Sequence, residues 1–262
     1  MNQNNLKILI LGDVVGESGI AHLRKNLWSF RKKNAIDLVI ANGENATAIH
    51  GISSRDAEKL LDTGVDLITL GNHTWNMRDL YAFLDSNTDS IIRPANYPPT
   101  APGVSYAIKN VCGWRVLIMN ALGVVFMDSL PSPFEAVDKI LKREDGNFDI
   151  SILDLHAEAT SEKLAIGKYF DGRIDLVFGT HTHVRTDDAR IFPRGTAYIT
   201  DVGMTGPTDG ILGTDATAVI TKFLTHMPSH FTVAQGNTLA NGIIFEYDTE
   251  KYRASKIYPV DF

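Results

Sequence analysis

The sequence is poor in what several protein classes depend on. It has one cysteine, Cys112, in 262 residues, so a disulfide framework and a cysteine-rich zinc site are both excluded. It has no excess of positive charge. Against 25 Lys+Arg stand 31 Asp+Glu, a net charge of −6, so no basic field is available to wrap duplex nucleic acid. No apolar run is long enough to span a bilayer, and the stretch Met1 to Lys7 lacks the apolar core of a signal peptide. A cytoplasmic protein without membrane contact is expected. No linker, repeat or low-complexity tract interrupts the chain, so residues 1–262 are expected to form one domain. Gly12, Gly16 and Gly19 follow an apolar run, but the Gly-Lys-Ser/Thr of a P-loop does not follow them.

What is present is an ordinary globular composition, 44% hydrophobic and 21% charged, arranged as short apolar runs that end in polar residues. Lys7–Leu11 runs into Gly12-Asp13, and Leu38–Ala41 into Asn42-Gly43-Glu44-Asn45. Val65–Leu70 runs into Gly71-Asn72-His73, and Phe148–Leu155 into His156-Ala157-Glu158. Ile174–Phe178 runs into Gly179-Thr180-His181-Thr182-His183. Such runs predict buried strands. The periodicity between them predicts helices: one capped by Ser18 with Ile20, Leu23, Leu27 and Phe30 on one face, then Ser53-Ser54 to Asp62, Pro133 to Lys142 and Ser161 to Phe170. Tyr106–Lys109 and Trp114–Asn120 predict a hairpin. Thr214–Phe223 suits a helix or a strand equally, and Gly242–Tyr247 with Arg253–Pro259 predict two late strands at a sheet edge. In α/β sheets the carboxyl ends of the strands are where ligands bind.

Those ends carry Asp13, Glu44, Asn45, Asn72, His73, His156, His181 and His183. Neutral imidazole is the commonest protein metal ligand. The set exceeds what one tetrahedral zinc uses and suits two ions bridged by a carboxylate. Imidazole, carboxylate and amide without thiolate favour iron or manganese, with zinc left open. Two ions roughly 3.5–4 Å apart clamp the attacking and leaving oxygens of a displacement at phosphorus, with hydroxide bridging them as nucleophile. A histidine outside the ligand set then returns a proton to the leaving oxygen, a role that fits His73. His181 and His183 stand two apart, and an extended chain would point them to opposite sides. An irregular segment is needed to aim both at one place.

Taken in order, Gly12-Asp13, Gly43-Glu44-Asn45, Gly71-Asn72-His73, His156 and Gly179-Thr180-His181-Thr182-His183 resemble the calcineurin-like metallophosphoesterases. Two departures are informative: Val15 stands where most of that family has a histidine, and Glu44-Asn45 where it has an aspartate. Both resemble the YmdB-like branch of bacterial cyclic-nucleotide phosphodiesterases, as do Leu155–Lys163, Gly179–Thr186 and Tyr198–Pro207. The resemblance implies an α/β fold, a four-layer α/β/β/α sandwich with two mixed β-sheets. It implies a first metal on Asp13, Glu44, Asn45 and His183, and a second on Asn72, His156 and His181, with Glu44 bridging and His73 as proton donor. The substrate it implies is a small cyclic nucleotide, the 2′,3′-cyclic kind first. With Val15 in place of a histidine, the first ion is expected to be the weaker one. Arg93, Asn96 and Gly203–Pro207 are candidates to approach substrate. Two other readings stay open: a monoesterase or RNA-end phosphoesterase with the same centre, and a metal-binding regulator of low turnover. A homo-oligomer is left open as well.

Overall fold

Successive residues of the first apolar run go to different cores. Ile8 and Ile10 pack in one cluster and Leu9 and Leu11 in another. A strand buried on both faces must lie between two layers, which is why such runs are continuous rather than alternating. The computed structural model describes residues 5–262; the first four residues of the stretch read for a leader lie outside them. In chain order the elements are β1 (Asn5–Leu11), β2 (Asp13–Val14), α1 (Gly16–Asn34), β3 (Leu38–Asn42), α2 (Ser54–Leu61), β4 (Leu67–Thr69), α3 (Leu80–Ser86), β5 (Ile91–Ile92), β6 (Tyr106–Val111) and β7 (Trp114–Leu122). Then follow α4 (Pro133–Arg143), β8 (Ile150–His156), α5 (Thr160–Tyr169), β9 (Leu176–Thr180), β10 (Arg190–Ile191), β11 (Ala197–Ile199), β12 (Met204–Pro207), α6 (Ala216–Thr225), β13 (Thr238–Asp248) and β14 (Arg253–Asp261).

The first sheet runs β2-β12-β13-β1-β3-β4-β5, with β14 also on β13; the second runs β10-β11-β9-β8-β7-β6. In the first, β1, β3, β4 and β5 are parallel and β13 is antiparallel to β1. In the second, β7, β8, β9 and β11 are parallel, while β6 and β10 are antiparallel edges. Both sheets are therefore mixed. Ile8, Ile10 and Ile40 meet Val116, Ile118, Ile152 and Phe178 between the sheets. Leu9 and Val39 face Ile20 and Leu23 of α1 and Leu60 of α2. Leu117 and Leu153 face Val137 of α4 and Ile166 of α5. The order is helices, sheet, sheet, helices, as the resemblance implied.

Some local expectations change. Helix α1 begins two residues before Ser18, whose hydroxyl reaches back to the Val15 carbonyl at 3.4 Å. The Gly16 N–H is satisfied by the Asn45 carbonyl at 2.9 Å, so a tertiary contact replaces the side-chain cap. Residues 216–225 are helical, started by Asp215, whose side chain accepts from the Ala218 N–H. Strand β13 lies inside its sheet, on β1, β12 and β14; β14 is the edge. Among the described residues no helix is long and apolar enough to cross a membrane.

Candidate metal centre

Because β1, β3 and β4 are parallel, as are β8 and β9, each sheet delivers its polar ends to one edge. The first sheet brings Asp13, Glu44-Asn45 and Asn72-His73; the second brings His156, His181 and His183. They converge. His156 is fully buried, and its Nε2 lies 3.1 Å from Glu44 Oε1, 3.0 Å from Asn72 Oδ1 and 3.0 Å from His181 Nδ1. Glu44, His156 and His181 present ligand atoms all within 4.8 Å of one another. Beside them, Asp13 Oδ1 is 3.7 Å from His183 Nε2, and Asn45 Nδ2 is 3.2 Å from both His183 Nε2 and Glu44 Oε1. Gly71 must be glycine here, since a Cβ on it would lie 2.2 Å from Glu44 Oε2 and 2.4 Å from His156 Nε2.

The His-Thr-His segment escapes strand alternation through left-handed backbone, with φ of 100° at His181 and 63° at His183. Such conformations cost a residue with a side chain about 1–3 kcal/mol each and persist only where surroundings hold them. The holding group is a buried ion pair. Lys163 Nζ sits 2.7 Å from Asp201 Oδ2 and donates to the Thr180 carbonyl at 2.8 Å. Asp201 then accepts from the Thr182 N–H at 3.2 Å, the Thr182 hydroxyl at 2.8 Å and the Gly203 N–H at 2.9 Å.

Each imidazole of the cluster also has one nitrogen on an outer acceptor. The Thr180 hydroxyl donates to Asp154 Oδ1 at 2.7 Å, so its oxygen accepts from His156 Nδ1 at 2.9 Å. Asp154 Oδ2 accepts in turn from Thr69 and Asn42. His181 Nε2 faces Glu158 Oε2 at 3.1 Å, and His183 Nδ1 donates to the Leu212 carbonyl at 3.1 Å. The inner nitrogens are thereby left for the centre, the arrangement by which histidine ligands are oriented.

The charges agree with this. Burial works against ionising Asp13 and Glu44, yet the neighbouring imidazoles, His183 for Asp13 and His156 for Glu44, hold both below the usual carboxylate range. Burial likewise opposes the charged form of His156, but Glu44, Asp13 and Asp154 outweigh it and push that group up to about 9. His181, desolvated and beside His156, is pulled down to about 4 and is neutral. Burial pushes Asp154 up to about 6. Ionised Asp13 and Glu44 thus face a charged His156 and a His183 whose charged form burial opposes and Asp13 favours, while His181 is the neutral imidazole.

Two observations test whether cations fit. Glu44 Oε1, Asn72 Oδ1 and the Nδ1 lone pair of His181 all crowd one nitrogen of His156, and a single N–H cannot serve three acceptors. Asp13 Oδ1 and Asn45 Oδ1 are two of the three buried side-chain atoms without a hydrogen-bond partner among the described residues; Thr205 Oγ1 is the third. A buried acceptor left unpaired costs about 1–3 kcal/mol. Surplus acceptors beside ionised carboxylates are what a metal site looks like before the metal is added.

His73 stands at the rim. Its N–H donates to Glu44 Oε2 at 3.0 Å, its ring nitrogens lie 3.3 Å from Asn72 Nδ2 and 3.5 Å from Asn76 Nδ2, and the ring lies on that of His50, centroids 4.2 Å apart. Burial pulls it below the ordinary histidine range. Arg93 and Asn96 are placed otherwise than expected. The buried Arg93 guanidinium donates to the carbonyls of Pro94, Pro98, Ala101 and Pro102, and Asn96 ties Leu122 to Pro131. Both organise the proline-rich loop. Residues 204–207 are a strand whose backbone pairs with β2 and β13. Sequence reasoning passed over Asp154, Thr180, Lys163 and Asp201. The available signal was Asp154, a carboxylate inside an apolar strand and two residues before His156, hence on the same face.

The sequence profile of the YmdB-like protein family matches residues 9–260. A 2′,3′-cyclic-nucleotide 2′-phosphodiesterase of Bacillus subtilis is 42% identical over 252 residues, covering 96% of this chain and 95% of its own. A hypothetical protein of Thermus thermophilus of solved structure has a TM-score of 0.92 at 40% identity, covering 98% of this chain and 99% of its own. The structure of a novel phosphatase from Mycoplasma pneumoniae has a TM-score of 0.92 at 35% identity, covering 98% and 93%.

Proposed function

The chain belongs to the YmdB-like protein family, and from that premise we propose that it is a metal-dependent phosphodiesterase that opens 2′,3′-cyclic nucleotides at a dinuclear centre. The observation that carries this reading is the surplus of buried acceptors: Asp13 Oδ1 and Asn45 Oδ1 unpaired, beside three acceptors on one nitrogen of His156. Asp13, Asn45 and His183 would hold one ion, Asn72, His156 and His181 the other, and Glu44 both. Donors of this kind suit iron or manganese, and zinc less specifically. When bound, the two ions supply the positive charge that stabilises the transition state at phosphorus and makes water nucleophilic at neutral pH.

The chain's own residues do the rest. Glu44 reaches both halves, since Oε1 faces His156 and Asn45 while Oε2 takes the His73 N–H. The carboxylate that spans the centre therefore also places the proton donor. As water oxygen joins phosphorus, the bond from phosphorus to the 2′ oxygen breaks. His73 gives that oxygen its proton, and a 3′-monoester leaves.

The test is turnover by manganese-loaded protein of a 2′,3′-cyclic nucleotide, a 3′,5′-cyclic nucleotide and a nucleoside monophosphate. The 2′,3′-cyclic substrate should be the fastest, and His73→Ala should lower its kcat by about 10²–10⁴-fold. A faster monoester would move the chain to the phosphomonoesterases. Two bound ions with no turnover would leave the regulator reading, and an unchanged rate in His73→Ala would remove that residue from the chemistry.

A further inference from the structure

We infer that Phe126 is the platform on which the nucleobase of the substrate stacks, a role that rests on the cyclic-nucleotide reading above. The loop that carries it begins at the centre. Strand β7 runs parallel to β8 with Leu122 opposite His156, and the next N–H, that of Gly123, donates to the His156 carbonyl at 3.0 Å. The buried Glu162 carboxylate then takes the N–H groups of Val124 at 3.0 Å and Val125 at 3.2 Å. The backbone of these two residues is thus pinned to Glu162. The following one, Phe126, turns into left-handed backbone with φ of 62° and is 87% exposed. Three residues of chain reach at most about 11 Å, which bounds how far the Phe126 backbone lies from Gly123 and the His156 carbonyl it holds.

That placement is unfavourable twice over. An aromatic residue disfavours left-handed backbone, and its ring gives up burial by standing in water. Among the described residues no ring or cation contacts Phe126. Strain of this kind is maintained where a residue has work to do at a site. On the His183 side of the centre, Val184 follows His183 and is 58% exposed, and Leu212, whose carbonyl holds His183, is 49% exposed. A cation-binding centre with an exposed aromatic ring and an apolar rim fits a substrate with a phosphate at one end and a flat, weakly polar ring at the other. Any nucleobase has a π-face, so stacking on Phe126 tolerates every base.

The test compares 2′,3′-cyclic AMP and 2′,3′-cyclic UMP with glycerol 1,2-cyclic phosphate, which keeps the five-membered diester and lacks the base. The metal-loaded wild-type chain, Phe126→Ala and Phe126→Trp are assayed. In Phe126→Ala the ratio of kcat/KM for either nucleotide to that for the base-free diester should fall about tenfold or more, with KM carrying most of the change. Phe126→Trp should restore the ratio. An equal loss on all three substrates, or an unchanged ratio, would overturn the assignment. Wild type opening the base-free diester as fast as the nucleotides would overturn it while leaving the hydrolase reading in place. Wild type opening no diester would remove that reading and Phe126 with it.

Discussion

Around His156 both ring nitrogens have partners, though three acceptors share its Nε2, whereas around Asp13 two buried oxygens, Asp13 Oδ1 and Asn45 Oδ1, have no hydrogen-bond partner at all. The first half is anchored outward through Thr180 to Asp154 and from there to Thr69 and Asn42. The second half has the Leu212 carbonyl on His183 and the His181 N–H on Asp13, and beside it lies the buried, apolar Val15. The difference teaches which side the protein shapes by itself. Hydrogen bonds already fix the donors of the His156 half, so a cation arriving there meets a preformed site. The Asp13 half keeps acceptors that no protein group satisfies, and fewer outer hydrogen bonds to hold its donors in place. The ion on Asp13, Asn45 and His183 is accordingly expected to leave first under a chelator, with its loss read as one equivalent of metal per chain by elemental analysis.

The comparison breaks most completely at Glu44, which belongs to both halves. Glu44→Gln removes the shared charge, and kcat should fall on the order of a thousandfold, several kcal/mol of transition-state stabilisation, with both ions weakened together. Two tightly held equivalents in that variant would mean that Glu44 does not bridge. Next in size is the support beneath the His-Thr-His turn. Lys163→Met leaves Asp201 buried and unpaired and should destabilise the chain by about 3–5 kcal/mol, read as a lower urea midpoint. Lys163→Met combined with Asp201→Asn should recover part of the loss. A cost under about 1 kcal/mol would show that the left-handed backbone at His181 and His183 is held by something else.

These two residues mark the boundary of what could be read in advance. Polar ends after apolar runs are local features, so Asp13, Glu44, Asn72, His156 and the two late histidines stood out from the order of residues alone, as did the buried strands, which read as unbroken apolar runs; the four layers came only with the family resemblance. Lys163 did not, because a lysine on a helix reads as a solvated surface group; only the fold reveals that it is 1% exposed. The network around Asp154 stayed hidden, although the residue itself could have been noticed, because its partners come from β3, β4 and β9, three strands far apart in sequence. The start of α1 was set by the Asn45 carbonyl rather than by Ser18, a contact that no reading of the helix itself contains. Residues 214–223 were ambiguous because threonine, valine and isoleucine suit strands while Asp215 caps a helix.

Smaller changes sharpen the contrast by touching one half only. Thr180→Val keeps the shape and removes the hydroxyl between Asp154 and His156. The ion on Asn72, His156 and His181 should bind about 10–100-fold more weakly, and that on the Asp13 side should hardly change. Competition with a fluorescent chelator separates the two. If both weaken equally, the halves are not independently built.

Glu158 should give the least. Its carboxylate lies 3.1 Å from His181 Nε2, yet its side chain is 51% exposed, against 20% for His181, so water screens the pair. Exposed pairs of this kind are worth about 0.2–1 kcal/mol. Glu158→Gln keeps an acceptor for the same N–H and removes only the charge, and it should weaken the His181-side ion by about fivefold at most. Glu158→Ala should do somewhat more, because the Glu158 acceptor on His181 Nε2 is then lost and only the His156 contact at Nδ1 fixes which nitrogen faces the centre. Were Glu158→Gln to lose as much metal as Thr180→Val, the carboxylate would be acting through its charge on the ion itself, and the ordering of His181 by a hydrogen bond would be the wrong account of that side of the cluster.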